Sequence, residues 1–408
     1  MSRVKNIYCH FLVFILIYFE FGYHMVVAEA LHGSVRILII LIAVMPLCFM
    51  MKSIQTSSVL LALYLFALVL LNSMRDASIA NSIQLLIPIC IGFVVANSIN
   101  LPELVKVYNN VMVFLAAYSI ITFVLALLFP AFIQMLPLLG YRLDTKATMH
   151  NALFSVCISN AENVRNYGIT WEPGAFSVLL CVSLYSILAF EDRINRTKLL
   201  ILVVAIITTF STMGYIVMAG FFLAFMLKQK DGSKKVRKLI MIFACAFLVL
   251  LIVLPSSITD IVFGKLSGLF SEGKDMAYTT LARLNAIKYP FIAFCTSPIV
   301  GVGYDKFAEI NRTLCDGVAT NTILNWFAVM GALLGVPCAY YYTKLVLKVS
   351  THAQLSMLGK IIILFSAIIL VSTESLLRIS LMYIFIFYGC SNQLRKCKNE
   401  NTVYTRSL

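Results

Sequence analysis

The chain has 408 residues, 61% of them hydrophobic and only 12% charged, with a mean hydropathy of +0.92. A soluble globular chain carries about 25% charged residues, so there is too little polar surface here to coat a water-soluble body. The net charge of +14 would raise nucleic acid as a partner in a soluble protein, but many basic residues sit in short loops between apolar runs, where they set membrane topology instead.

The expected fold is therefore an all-α polytopic integral membrane protein. A single transmembrane domain over 1–390 is followed by a basic cytoplasmic tail over 391–408, which holds Arg395, Lys396, Lys398 and Arg406. The N-terminus, Met1 to Lys5 and then an apolar stretch, imitates a signal peptide, and Ala28-Glu29-Ala30 offers a small-residue cleavage pattern. Glu20 and His24 interrupt the stretch, which is long enough to span, so an uncleaved first helix is expected. Glu20 and His24 are four apart and share a helix face, either as a buried structural pair or as a functional intramembrane acid.

Apolar runs predict spans at 6–28, 35–51, 57–73, 79–97, 107–129 and 173–190, then at 239–255, 322–343, 359–373 and 377–390. Arg3 and Lys5 place the N-terminus in the cytoplasm. Alternate crossings put Lys52, Lys106 and the Arg193, Arg196, Lys198 group on the same side, together with the basic segment 228–238. Stretch 198–227 must then leave and return. At 1.5 Å per residue it is about 45 Å of helix, enough for two halves of about 22 Å, each shorter than the roughly 30 Å hydrocarbon core. A reversal is expected at Ser211-Thr212-Met213-Gly214. Non-helical backbone at that depth is tolerated only in protein or beside a wet cavity. The total is about twelve crossings with both termini cytoplasmic. Two large extracytoplasmic loops remain, 130–172 and 256–321, the second holding a moderately apolar piece from Tyr289 to Val302.

The eleven cysteines show no metal spacing. Cys48, Cys90, Cys181, Cys245 and Cys338 lie in apolar runs and read as small hydrophobes. Cys157, Cys295 and Cys315 fall in or near the long loops, where an oxidising compartment would allow a disulfide of undetermined pairing.

The densest polar constellation closes the first long loop: Arg165-Asn166-Tyr167-Gly168-Ile169-Thr170-Trp171-Glu172-Pro173-Gly174. Pro173 suits the first turn of a helix, and Glu172 then sits at its N-terminal end, where the dipole stabilises a carboxylate. Gly168 and Gly174 allow tight backbone. Trp171 suits either the bilayer interface or a sugar face. In the second loop, Arg283 precedes Ser297-Pro298 and Gly301-Val302-Gly303-Tyr304-Asp305-Lys306. The two glycines lack the third glycine of a dinucleotide fingerprint and read as a turn that lets backbone approach a ligand. Arg283 is either an ordinary solvated charge or, paired with Arg165, half of a fork for phosphate oxygens. Asn321 opens span 322–343 as an N-cap. Glu374 lies between the last two spans, either a solvated loop acid or a candidate base. His150 reads as exposed. No Ser-His-Asp spacing, HExxH or P-loop is present, and neither a metal nor a cofactor is expected.

The stretch R-x-x-G-x-x-x-E-P-G over Arg165 to Gly174 resembles the motif of O-antigen and capsular polysaccharide polymerases of the Wzy type. Ser211 to Tyr215, Ser297-Pro298-Ile299-Val300-Gly301-Val302-Gly303-Tyr304, Thr320-Asn321-Thr322 with Gly331 and Gly335, and Ser372-Thr373-Glu374 follow in that family's order. The resemblance covers about residues 100–390. It implies a metal-independent glycosyltransferase of the bacterial inner membrane. The reaction joins undecaprenyl-diphosphate-linked oligosaccharide units at the outer face and releases undecaprenyl diphosphate. A membrane-bound chain-length regulator is an implied partner.

On that basis Arg165 and Arg283 stabilise the leaving diphosphate. Glu172 is the first candidate base and Glu374 the second, while Gly168, Trp171, Tyr304 and Asn321 are candidate substrate contacts. Thr320 stands where the related O-antigen ligases usually carry His. The competing expectations are such a ligase, or a lipid-linked oligosaccharide flippase, although no repeated halves are visible.

Overall fold

The structure, a computed structural model, describes residues 3–22, 33–51, 54–74, 79–142, 147–159, 164–191, 193–227, 278–315 and 320–391. His24, Lys52, Cys245, the basic segment 228–238, span 239–255 and the tail beyond 391 lie outside the described residues.

The described chain is mostly helical. The helices Arg3–Phe21, Thr56–Ser73, Leu101–Leu128, Pro173–Phe190 and Thr322–His352 are long and apolar enough to cross a membrane. Shorter apolar helices cover Val35–Met50, Gln84–Ser98, Thr212–Met226, Met357–Ser372 and Ser380–Cys390. Packing divides the chain into two units. The first takes Met1–Ala43, Leu104–Phe270 and Ala353–Ser366, and the second takes Val44–Glu103, Ser271–His352 and Ala367–Leu408.

Within the first unit the helix Pro173–Phe190 is central. Of its residues 78% are buried, against 39% in the apolar stretch of Arg3–Phe21, as expected of a helix that is hydrophobic all round. Polar pins hold its neighbour Leu101–Leu128 in register. The Tyr108 hydroxyl donates to the Leu179 carbonyl at 3.0 Å. Ser183 and Ser186 donate to Asn109 Oδ1 at 3.0 and 2.5 Å. Buried hydroxyl and amide groups join helices where lipid gives no hydrophobic incentive to associate.

The expected split of 198–227 is present, as the helices Arg196–Thr208 and Thr212–Met226. The direction of the turn follows from contacts with Pro173–Phe190. Near its start, Ser177 donates to Ser211 (3.2 Å), and near its end Tyr185 packs on Phe221 and Phe225. Thr212–Met226 therefore runs alongside it in the same direction. Arg196–Thr208 begins at its far end, where Lys198 reaches Glu191 at 3.8 Å, and runs the opposite way. The chain reverses at Thr209-Phe210-Ser211, with Phe210 at φ +50°.

The all-α expectation needs correction in the first long loop. A three-stranded antiparallel sheet, Leu138–Arg142, Ala147–Asn151 and Val156–Ser159 in that order, lies there. Its strands carry only scattered strand formers, Tyr141, Thr148, Val156 and Ile158, and are joined through backbone pairing. Met149, Val156, Ile158 and Tyr167 make a small core on it. His150, read as exposed, is buried at 5%. Its Nδ1 lies 3.0 Å from the Leu136 carbonyl, which can only accept, and its Nε2 lies 2.7 Å from the Ser159 hydroxyl. Cys157, Cys295 and Cys315 form no disulfide among the described residues. Burial pushes the Cys157 thiol up to about 11.

The second unit is built on Thr322–His352, Ile79–Ser98 and Ser380–Cys390. The Tyr388 hydroxyl donates to the Ile99 carbonyl at 2.8 Å. Lys348 donates to the carbonyls of Gly389 and Ser391 at 2.8 and 2.6 Å. A lysine there satisfies the open carbonyls at the end of the last helix and opposes its dipole.

Candidate functional site

In the first unit, the segment Arg165 to Glu172 is stitched onto the helix reversal. Helix Arg196–Thr208 ends with carbonyls that have no partner inside the helix. Arg165 supplies one: Nε donates to Thr209 O at 3.1 Å and Nη2 to Phe210 O at 2.9 Å. Asn166 is the knot beside it. Its Nδ2 donates to Ser119 Oγ (3.0 Å) and Thr208 Oγ1 (2.9 Å), its Oδ1 accepts from Gly168 N (2.9 Å), and its own amide donates to Thr208 O (2.9 Å). Gly168 sits at φ +51°, and a Cβ there would lie 2.5 Å from the Phe176 ring. That glycine is required by packing of the turn on the helix that follows.

Glu172 occupies the N-cap position of Pro173–Phe190 in extended conformation, but its side chain makes no capping bond. Trp171 lies parallel to Phe21 at 5.9 Å and 3°, so one face of the indole is already taken by protein. Two guanidinium donors of Arg165 are committed to backbone, which gives this residue a structural duty whatever else it does. Arg165→Lys cannot reproduce that fork. Its expected cost is about 1–3 kcal/mol, the penalty for buried carbonyls left without donors, read as a lower unfolding temperature of the purified protein. Unchanged stability with lost activity would instead mark Arg165 as a purely chemical group.

In the second unit, the Ser297–Tyr304 run meets a break in Thr322–His352. That helix is interrupted at Met330 (φ −127°, ψ 18°) and Gly331 (φ 62°, ψ −158°). The break frees backbone groups on both sides, and the loop satisfies them. Val302 N donates to Ala328 O (2.9 Å) and Gly303 N to Val329 O (3.0 Å), while Ala332 N donates to Pro298 O (2.8 Å) and Leu333 N to Ile299 O (3.3 Å). Gly301, at φ +69°, touches the Val329 backbone so closely that no Cβ would fit. The glycine pair was expected to admit a ligand. Here it admits another stretch of backbone, because the chain reaches within hydrogen-bond distance of a broken helix.

The start of the same helix is joined to the last loop. Asn321 Oδ1 accepts from Leu324 N at 3.0 Å, so Asn321 is an N-cap. Thr322 donates from Oγ1 to Glu374 O (2.6 Å) and accepts from Leu376 N (2.8 Å), and Asn325 Nδ2 reaches Ser375 Oγ at 3.2 Å. Glu374 is only 3% exposed, so it is not a solvated loop acid. Arg283 lies on the helix Tyr278–Thr296, but its side chain is outside the described residues. No pairing of Arg283 with Arg165 is described, and the two fall in different units.

Sequence reading missed Arg378. Its guanidinium carbon lies over the Tyr304 ring, 3.9 Å from the centroid, and Nη1 donates to Gln84 Oε1 at 2.5 Å. Burial pulls its ionisation below the ordinary arginine value, opposed by Tyr304 and Asp305. Burial raises Tyr304, which Arg378 counters and Asp305 reinforces. Arg378, Arg312, Tyr304 and Ser375 border a cleft of about 190 Å³. The available signal was position. Arg378 is a single arginine inside the apolar run 377–390, where a charge is costly and marks a functional candidate by default.

No family model, curated protein or solved structure matches this chain.

Proposed function

We propose that the chain is a polymerase that extends a glycan carried on a polyprenyl diphosphate. One observation supports this reading above the others. The short segments resembling the Wzy-type polymerases are scattered over more than two hundred residues, yet within each unit they are bonded to one another. Arg165 holds the Thr209–Phe210 turn next to Ser211. The Ser297–Tyr304 run pairs with backbone on both sides of Gly331, and Thr322 holds Glu374. These bonds satisfy backbone at breaks and ends of apolar helices, and irregular backbone at that depth is tolerated only where it is buried in protein or lines a wet cavity, the setting such a site would need.

In the proposed reaction a carboxylate, Glu374 or Glu172, takes the proton of an acceptor hydroxyl. The hydroxyl oxygen attacks the anomeric carbon of the donor glycan. The bond from that carbon to the diphosphate oxygen breaks, and undecaprenyl diphosphate leaves with the electron pair. Arginines are suited to the charge that grows on the leaving group, and Arg165, Arg283 and Arg378 are the candidates. Gly168, Trp171, Tyr304 and Asn321 then act by shaping backbone and packing around the site. Burial on a pinned backbone favours Glu374 as the base, since a catalytic group must be held in place. The proposed setting is the periplasmic face of a bacterial inner membrane, with a chain-length regulator as partner.

The test is reconstitution of the purified protein in vesicles with one synthetic lipid-diphosphate-linked repeat unit. A ladder of products differing by one repeat is expected. Transfer to a lipid A-core acceptor alone would mean ligation. Movement of the intact lipid across the bilayer without new glycosidic bonds would mean a flippase.

A further inference from the structure

We infer that the cleft beside Arg378 binds a sugar that carries a carboxylate. This names the class of sugar in the repeat unit, and to that extent it rests on the proposed polymerisation. The binding itself needs no turnover.

Size and lining point the same way. At about 190 Å³ the cleft is well above the size that holds a single water and below the few hundred Å³ of a drug-sized site, the scale of one small polar ring. Arg312 and Arg378 both border it. Guanidinium groups recognise planar oxyanions through paired N–H donors. Arg378 is oriented beforehand by Tyr304 beneath it and by Gln84 at its edge, so little side-chain freedom is lost on binding.

The remaining lining is not that of a bare phosphate site. Such sites surround the anion with backbone amides or several cations. Here the other polar side chains are the neutral Asn311 amide and the Ser375 and Tyr304 hydroxyls, and an aromatic wall is supplied by Phe307. Amide and hydroxyl groups match ring hydroxyls, and apolar walls match the C–H faces of a sugar. Asp305 lies on the same helix and acts on Arg378, but it is not among the cleft's lining residues. The helix Tyr304–Leu314 presents Arg312 in its last turn, where substitution leaves the buried Phe307 in place.

The experiment uses the full chain in phosphatidylcholine nanodiscs and saturation-transfer NMR with glucuronate or glucose as the probe. Glucuronate is expected to bind, and glucose to bind at least ~10-fold more weakly because it lacks the charge-assisted bonds. Arg312→Ala and Arg378→Lys are each expected to weaken glucuronate by a similar factor. Arg312 is exposed, so its variant tests the inference even if the Arg378 variant fails to fold. Equal binding of glucose would overturn the assignment, as would unchanged glucuronate binding in Arg312→Ala. So would displacement of glucuronate by inorganic diphosphate at a lower concentration, which would make the cleft a phosphoryl site. Loss of binding in phosphatidylglycerol nanodiscs would assign it to a lipid headgroup. Glucuronate binding with no product ladder would sink the polymerase reading and leave the cleft's ligand standing.

Discussion

Glu374→Gln is expected to lower chain growth by about 10²–10⁴-fold, the contribution of a positioned general base, while the protein still inserts and folds. Glutamine keeps the shape of the side chain and the backbone carbonyl that Thr322 holds at 2.6 Å. It removes only the ability to take a proton. Glu374 is buried to 3% exposure, whereas Glu172 is half-buried at the open end of a helix. The same change at Glu172 is accordingly expected to cost far less. Initial rates on the reconstituted system, with the unfolding temperature as a folding control, decide between them. A Glu374→Gln protein that builds full-length ladders at the parental rate would remove this residue from the chemistry. A reversed ranking would return the role to Glu172.

Gly331→Ala is expected to be strongly damaging in the second unit. The conformation φ 62°, ψ −158° is in a region essentially reserved for glycine and costs about 1–3 kcal/mol for other residues. A methyl group would also run into the Ile299 carbonyl and lie 2.6 Å from Gly301 N. Relief of that clash pushes apart the four backbone bonds joining residues 298–303 to 328–333. Unsatisfied backbone groups in an apolar body cost several kcal/mol each. A loss of about 4 kcal/mol or more is expected, exceptional for a point change. Thermal unfolding in nanodiscs checks it. Leu333→Ala is the control, since it keeps the backbone pairing. If both variants unfold at the parental temperature, the loop and the broken helix are not coupled as described.

Much of the helical layout was legible because it depends on local hydropathy. Runs without charge long enough to cross a bilayer read directly as helices, and the split of 198–227 followed from the positions of Arg193, Arg196 and Lys198. The small sheet was not legible. Its strands are four or five residues long, and such short segments carry little periodicity. The role of Arg165 was half visible. Its neighbourhood of glycine, tryptophan, acid and proline marked a structured turn, but nothing local shows that its guanidinium reaches residues 44 and 45 positions away. The kink at Gly331 was hidden for the same reason. Glycine is common in apolar helices, and only contact with a second segment distinguishes a break from a packing site.

Sequence by itself determined that the chain carries helices long and apolar enough to cross a membrane, and that polar residues cluster between them. Those properties follow from the free energy of moving side chains and peptide groups out of water, which each segment carries alone. Tertiary structure decided which polar residues meet. Arg378 on Tyr304, Thr322 on Glu374 and the loop at 298–303 on the helix break are long-range partnerships. A buried polar group must find a partner, but its own sequence neighbourhood does not say which one.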